Sequence, residues 1–184
     1  QGSLRRGSAA CYLDCHHPEI EEFLEIRKAS GDFNRKSLNL HHGINITDAF
    51  MEAVRADEDF GLISPKSGEV VRTINARKLW QKILELRMQT GEPYLLFTDT
   101  VNNSMPAHQR KLGLKVTQSN LCSEITLPTG IDHRGQDRTA VCCLSSVNAE
   151  KFMEWSKDEH FLEDIFRFLD NVLEDFIERA PPEM

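Results

Sequence analysis

Residues 119–129 bring together three side chains that could act jointly on a small organic substrate. If the segment is extended, side chains at positions i, i+2 and i+4 project to the same side. Asn120, Cys122 and Glu124 would then converge: an amide to orient a hydroxyl group, a thiol for sulfur chemistry and a carboxylate to accept a proton. On spacing alone, a polar strand face exposed to water is the better interpretation.

A second sulfur-bearing segment, residues 140–146, contains the adjacent Cys142 and Cys143. Neighbouring residues on a strand point in opposite directions, so a single one of these thiols can face a given site. A disulfide between direct neighbours would be strained. The alternative is that both are small, buried apolar side chains.

Cysteine usage and composition narrow the class of protein. Five cysteines without a Cys-x-x-Cys pair do not suggest a secreted disulfide framework. Cys11, Cys15, His16 and His17 match no common zinc spacing, so we expect no metal.

The charge pattern argues against two classes of partner. The net charge is -7 and basic residues are interspersed with acidic ones, so we expect no nucleic-acid partner. We find neither roughly 20 consecutive apolar residues nor a signal-peptide core. The sequence therefore predicts a cytoplasmic protein without membrane contact.

Strands and helices alternate along the chain. Strands are predicted at 9–13, 37–46, 94–97, 115–127 and 139–146, helices after Pro18 and at 48–55, 76–90 and 159–178, a hairpin or loop at 64–68, a polar loop at 102–109 and a charged turn at 130–138. This order favours a parallel α/β sheet, wound open or closed as a barrel. Because an open parallel sheet leaves unpaired edges, we expect part of a larger barrel.

Three segments resemble the large, catalytic subunit of class I, aerobic ribonucleotide reductases. Asn-Leu-Cys-Ser-Glu-Ile-Thr-Leu-Pro-Thr, residues 120–129, resembles the finger loop of that family, and Ala-Val-Cys-Cys-Leu-Ser-Ser-Val-Asn, residues 140–148, resembles the strand that follows. Cys-Tyr-Leu-Asp, residues 11–14, with His-His-Pro-Glu-Ile-Glu-Glu-Phe-Leu, residues 16–24, resembles the strand and helix after the specificity loop. The resemblance extends from about Gly2 to the end in family order.

The fold implied by this resemblance is a ten-stranded α/β barrel with a central finger loop, incomplete in this chain. Residues 1–184 would form one segment of it, with the specificity-loop end and a strand at 1–13, the finger loop at 115–129, the strand with a redox cysteine at 139–146 and a helix at 159–178.

The resemblance also implies roles for individual residues. Cys122 matches the cysteine that becomes a thiyl radical and removes the ribose 3′ hydrogen, and Glu124 matches the base that takes the 3′-hydroxyl proton. Cys142 matches one of two cysteines that reduce the 2′ carbon, whereas its neighbour Cys143 is interpreted as structural. The residues that would line a ribonucleoside diphosphate are Asn120, Leu121, Cys122, Ser123 and Glu124.

Partners follow from the same resemblance. No cofactor would be bound by this chain: the radical would come from a separate, small metal-containing subunit, and thioredoxin or glutaredoxin would restore the thiols. The remaining parts of the large subunit would complete the barrel and bind nucleotide effectors. Residues 2–9 resemble the loop that responds to those effectors, with Arg5 as the matching arginine, followed by Arg6 and Gly7; Arg6 and Ser8 interrupt the usual Arg-Gly-Gly-Ala pattern.

Several parts of the family pattern are missing from this sequence, including the first cysteine of the reducing pair, the effector-binding cone and the phosphate-binding loop. The relay tyrosine pair is missing too, since Tyr12 and Tyr94 are not adjacent. Two hypotheses follow. The segment is enzymatic when complementary pieces complete the barrel and inactive alone, or it is a non-catalytic α/β module for binding or assembly.

Overall fold

The computed structural model describes residues 6–181, in a chain that divides after Pro128 into two compact units. The first unit contains β1 (Ala10–Asp14), α1 (Ile20–Phe23), β2 (His41–Ile46), α2 (Asp48–Ala56), β3 (Asp59–Ile63), β4 (Val70–Asn75), α3 (Ala76–Thr90), β5 (Tyr94–Phe97), α4 (Thr98–Ser104) and α5 (Ala107–Lys111). The second contains β6 (Gly130–Ile131), β7 (Asp137–Arg138), α6 (Phe152–Trp155) and α7 (Phe161–Arg179).

The first unit is built on a parallel sheet in the order β1, β2, β5. Its apolar face packs against the helices: Ile44, Ile46 and Phe50 are fully buried in a core that α3 extends with Leu79 and Ile83. Alternation along the strands places a second set of side chains on the opposite face. The predicted parallel α/β sheet is therefore confirmed.

Local signals fix the ends of the two main helices. Thr47 caps α2, since its hydroxyl oxygen accepts a hydrogen bond from the Phe50 amide at 3.2 Å. Asn75 caps α3 in the same way through the Lys78 amide at 2.9 Å, and Gly91 ends it with a left-handed φ of 80°. The predicted boundaries of these helices are confirmed, as is the hairpin, which β3 and β4 form around residues 64–68.

A close approach at the centre of the sheet requires glycine at position 43. A Cβ atom there would lie 2.4 Å from Cε1 of the Tyr12 ring, which covers Gly43 from β1. The ring would have to move, and overpacking of this kind costs about 1–3 kcal/mol.

We therefore expect Gly43→Ala to lower the free energy of unfolding by about 1–3 kcal/mol in urea titrations. Gly7→Ala is the matched control, because a Cβ at Gly7 would meet no atom of residues 6–181 within 4 Å. Equal stability of the two variants would show that the Tyr12 ring does not constrain the sheet.

One predicted strand of the first unit starts too early, and one predicted loop is wrong. The strand predicted at 37–46 begins at His41, because a turn in which the Leu40 amide donates to the Ser37 carbonyl at 3.1 Å precedes it. The polar loop predicted at 102–109 is instead the end of α4 and the start of α5, separated by Pro106. Asn102 supports α4 by donating to the Thr98 carbonyl one turn earlier, at 2.8 Å.

In the second unit, the charged turn predicted at 130–138 is a short hairpin and the final helix is confirmed as Phe161–Arg179. The strand predicted at 139–146 is wrong, since these residues form no ladder hydrogen bonds with any part of residues 6–181.

None of the helices within residues 6–181 combines the length and apolar character needed to cross a membrane.

Candidate active-site loop

The loop that contains Asn120, Cys122 and Glu124 is a closed turn and not the extended strand predicted from the sequence. The Ser123 amide donates to the Asn120 carbonyl at 3.0 Å, and Ser123 adopts a left-handed φ of 64°. The strict i, i+2, i+4 alternation therefore does not apply to this segment. The shape of the turn therefore sets how the thiol and the carboxylate are oriented relative to each other.

Asn120 braces this turn from inside. Its side-chain oxygen accepts hydrogen bonds from the amides of Glu124 at 3.2 Å and Ile125 at 3.0 Å. Ser119 closes the base, since its hydroxyl donates to the Ile125 carbonyl at 2.8 Å. The sequence suggested Asn120 for substrate contact, and the structure adds a local role in shaping the loop.

Cys122 and Glu124 are both exposed, with the half-buried Ser123 between them. Neither side chain forms a hydrogen bond or an ion pair within residues 6–181. A free thiol and a free carboxylate two positions apart can act on one small molecule. Leu121 is half-buried beside them.

The loop approaches the sheet face that lies opposite the helices. Tyr12, Gly43 and Tyr94 form one register row across β1, β2 and β5, and Asp14 and Asn45 begin the next. Because the apolar core occupies the other face, these residues point away from it. The chain just before the Cys122 loop is held to this polar face, since the Asn45 side chain donates to the Thr117 carbonyl at 2.9 Å.

Burial and nearby charges alter the pKa of Tyr94, a residue of this polar face. Burial raises the pKa of Tyr94, and the negative charges available at Glu92, Tyr12 and Cys122 raise it further. The His41 ring is stacked against the Tyr94 ring, with the two ring centroids 6.2 Å apart.

The remaining residues predicted from the sequence lie elsewhere. Cys142 is exposed and Cys143 half-buried in the second unit, so the alternative in which both are buried apolar side chains is wrong. Of the predicted effector loop, Arg5 lies outside the described residues, whereas Arg6 and Gly7 are exposed. No group of three or more His, Cys, Asp or Glu residues within 6–181 is arranged to hold a metal ion.

Sequence reasoning missed the residues that hold the loop in place. The side chains of Asn45 and Asn102 bond to the backbone of Thr117 and Val116, just before the loop. For Asn45, the sequence offered a signal, since a polar asparagine stands between two isoleucines near the end of a predicted strand. Asn102 offered none, because it fell in the segment predicted to be a loop.

Comparisons with known proteins identify the family that this chain is similar to. A family model described as the ribonucleotide reductase barrel domain matches residues 1–179. A putative ribonucleoside-diphosphate reductase large subunit from Frog virus 3 (isolate Goorha) is 53% identical over 182 residues, which are 98% of this chain and 31% of that protein. A ribonucleoside-diphosphate reductase large subunit from Invertebrate iridescent virus 3 is 40% identical over 236 aligned residues, covering 99% of this chain and 37% of that protein.

A solved structure extends the comparison to the fold. The class Id ribonucleotide reductase alpha subunit of Actinobacillus ureae superposes with a TM-score of 0.71 and 32% identity, over 95% of this chain and 29% of that one. The chain spans about a third of the length of the relatives it matches. The predicted incomplete α/β barrel is confirmed, and the chain belongs to the ribonucleotide reductase family as a part of its barrel domain.

Proposed function

We propose that this chain supplies the finger loop of a ribonucleoside-diphosphate reductase and takes part in converting ribonucleotides to 2′-deoxyribonucleotides once the rest of the catalytic subunit completes the barrel. The observation that carries the proposal is the braced turn, which presents a thiol and a carboxylate, both without a partner among residues 6–181, above the polar face of a parallel sheet. Family membership supplies the reaction class.

The first chemical step would belong to Cys122. As a thiyl radical, its sulfur takes the hydrogen atom from the 3′ carbon of the ribose, so that an S–H bond forms, a C–H bond breaks and the unpaired electron moves to carbon. The initial radical is supplied by a separate metal-containing subunit. Exclusion of bulk water around the loop protects such a radical, which is why a barrel interior suits this chemistry.

Glu124 would then accept the proton of the 3′-hydroxyl group, which eases departure of the 2′-hydroxyl group as water after that group takes a proton from the Cys142 thiol. A carboxylate that is free of ion pairs within the described residues is available for this task. Asn120 has its side-chain oxygen engaged in the turn, so its amide nitrogen is the atom left to bind the substrate.

Reduction at the 2′ carbon would use Cys142 and a second thiol supplied by the remainder of the subunit. The two thiols give up two electrons and two protons and become a disulfide, which thioredoxin or glutaredoxin reduces by exchange. The exposure of Cys142 suits a thiol that must meet both substrate and reductant. Nucleotide effectors would act through Arg5, Arg6 and Gly7.

A segment exchange tests this function. In an active catalytic subunit of a relative, the corresponding segment is replaced by this chain, and product is assayed with the radical-generating subunit, ribonucleoside diphosphate and thioredoxin. We expect 2′-deoxyribonucleoside diphosphate from the parent and from the exchanged protein, and none when the segment is deleted. A folded exchanged protein that binds nucleotide and forms no product would contradict the proposal.

A further inference from the structure

Two asparagines fasten the chain just before the Cys122 loop, Asn102 to helix α4 and Asn45 to the sheet. We propose that Asn102 and Asn45 are positioning residues, which set where this loop lies over the sheet and thereby control the reaction at Cys122. The effect on catalysis rests on the proposed function, whereas the effect on the loop does not.

Asn102 binds both backbone groups of one residue. Its side-chain nitrogen donates to the Val116 carbonyl at 3.0 Å, and its side-chain oxygen accepts from the Val116 amide at 2.9 Å. A neighbouring strand would pair with the backbone in a similar way, although residues 115–119 belong to no sheet. The same nitrogen also reaches the Thr98 carbonyl at 2.8 Å, so Val116 is tied to the first turn of α4.

Asn45 holds the next residue from the sheet itself. Its side-chain nitrogen donates to the Thr117 carbonyl at 2.9 Å and to Oδ1 of Asp14 at 2.8 Å, and its residue surface is 6% exposed. Asp14 and Asn45 lie at or near the carboxyl ends of the adjacent parallel strands β1 and β2. This end of a parallel sheet is where α/β proteins commonly bind ligands.

The buried Val116 side chain completes the attachment, with 2% of its surface exposed. One buried apolar group and three hydrogen bonds therefore fix two consecutive residues. Thr117 and the loop residue Asn120 are separated by two residues, too few to absorb a large displacement.

Shape and placement of the loop thus have different origins. The hydrogen bonds that Asn120 accepts join residues of the same loop, so they favour its turn without fixing where it lies, and they open more often once the loop loses its attachment. Asn102 and Asn45 join the segment to α4 and β2, so they decide where Cys122 is held.

Hydrogen exchange on this chain, followed by mass spectrometry, tests the placement. In Asn102→Ala we expect amide exchange to rise about tenfold at Val116 and also across residues 120–125, with β2 unchanged, because a local attachment opens without global unfolding. Cys122 should also react faster with iodoacetamide. Asn103→Ala is the control, since this exposed neighbour has no side-chain hydrogen bond within the described part of the chain.

Asn102→Asp provides a second variant that keeps the size of the side chain and the acceptor for the Val116 amide but loses the donor. Because the lost nitrogen lies 2.8 Å from the Thr98 carbonyl oxygen and 3.0 Å from that of Val116, a carboxylate oxygen in its place repels both, and we expect exchange at least as fast as in Asn102→Ala. In the exchanged reductase, Asn102→Ala should lower kcat about tenfold without changing the melting temperature.

Faster exchange confined to Val116 would overturn the proposal, because the loop would then hold its place without Asn102. Equal loss of protection in β2 would overturn it too, since Asn102 would then be a general stability residue. If the exchanged reductase is inactive with native Asn102, the proposed function fails while the exchange measurement still decides the role of Asn102.

Discussion

Replacement of Cys122 by alanine is expected to abolish formation of 2′-deoxyribonucleotides by the exchanged reductase. No other group of the loop can carry a sulfur radical, so the C–H bond at the 3′ carbon would remain intact. Cys122 is exposed and its side chain has no hydrogen bond within residues 6–181, so the variant should fold like the native chain. The assay is product formation at saturating substrate, with circular dichroism as the check on folding.

Cys11→Ala is the matched control for this experiment. Cys11 is also an exposed, free thiol of the first unit, but it lies on β1 and outside the loop. We expect this variant to retain native activity. Undiminished product formation by Cys122→Ala would show that the radical is carried elsewhere.

Glu92→Gln is expected to cause the largest loss of stability, about 3 kcal/mol. The residue Glu92 is 5% exposed, and its carboxylate bonds to the rings of His41 and His42, the latter at 3.0 Å, and to Nε of Arg27 at 3.3 Å. These contacts join residues far apart in the sequence. A neutral amide would leave the Arg27 charge without its partner in a region of low solvent access.

The loss should depend on pH. Burial opposes ionisation of Glu92, but hydrogen bonds from His41 and His42 and the charge of Arg27 outweigh it and hold the pKa of the carboxyl below its ordinary 4.5. The folded state therefore releases the proton more readily than the unfolded state. Stabilisation by Glu92 is complete above pH 4.5 and disappears as the pH falls through the lowered pKa.

Urea titrations of both proteins between pH 7 and pH 3 measure this difference. The difference in free energy of unfolding between the native chain and Glu92→Gln should be constant at high pH and should vanish at low pH. Glu85→Gln on α3 is the control, since Glu85 is exposed and forms no ion pair within the described ranges. A gap that is independent of pH would show that the charge of Glu92 does not support the cluster.

The features that could be predicted from the sequence are those encoded by neighbouring residues. Thr47, Asn75 and Gly91 mark helix ends because each acts on backbone groups within one turn of the chain. The apolar residues Ile44 and Ile46 likewise predict a strand, and both are fully buried in the parallel sheet.

The features that escaped prediction depend on side chains that bind distant backbone. Residues 120–125 read as a strand by alternation, but the side chain of Asn120 offers the amides a closer acceptor and closes a turn. Likewise, the role of Asn102 could not be predicted, because its partner Val116 is fourteen positions away in the sequence. For residues 139–146, the apolar pattern favoured a strand that finds no pairing partner within the described chain.

The most direct test of the account is the structure of the completed catalytic subunit with a ribonucleoside diphosphate bound, read as the distance from Sγ of Cys122 to the 3′ carbon of the ribose. We expect about 3–3.5 Å, the separation of reacting atoms in a productive complex. A sugar bound beyond the reach of that sulfur, with a different group against the 3′ carbon, would contradict the account.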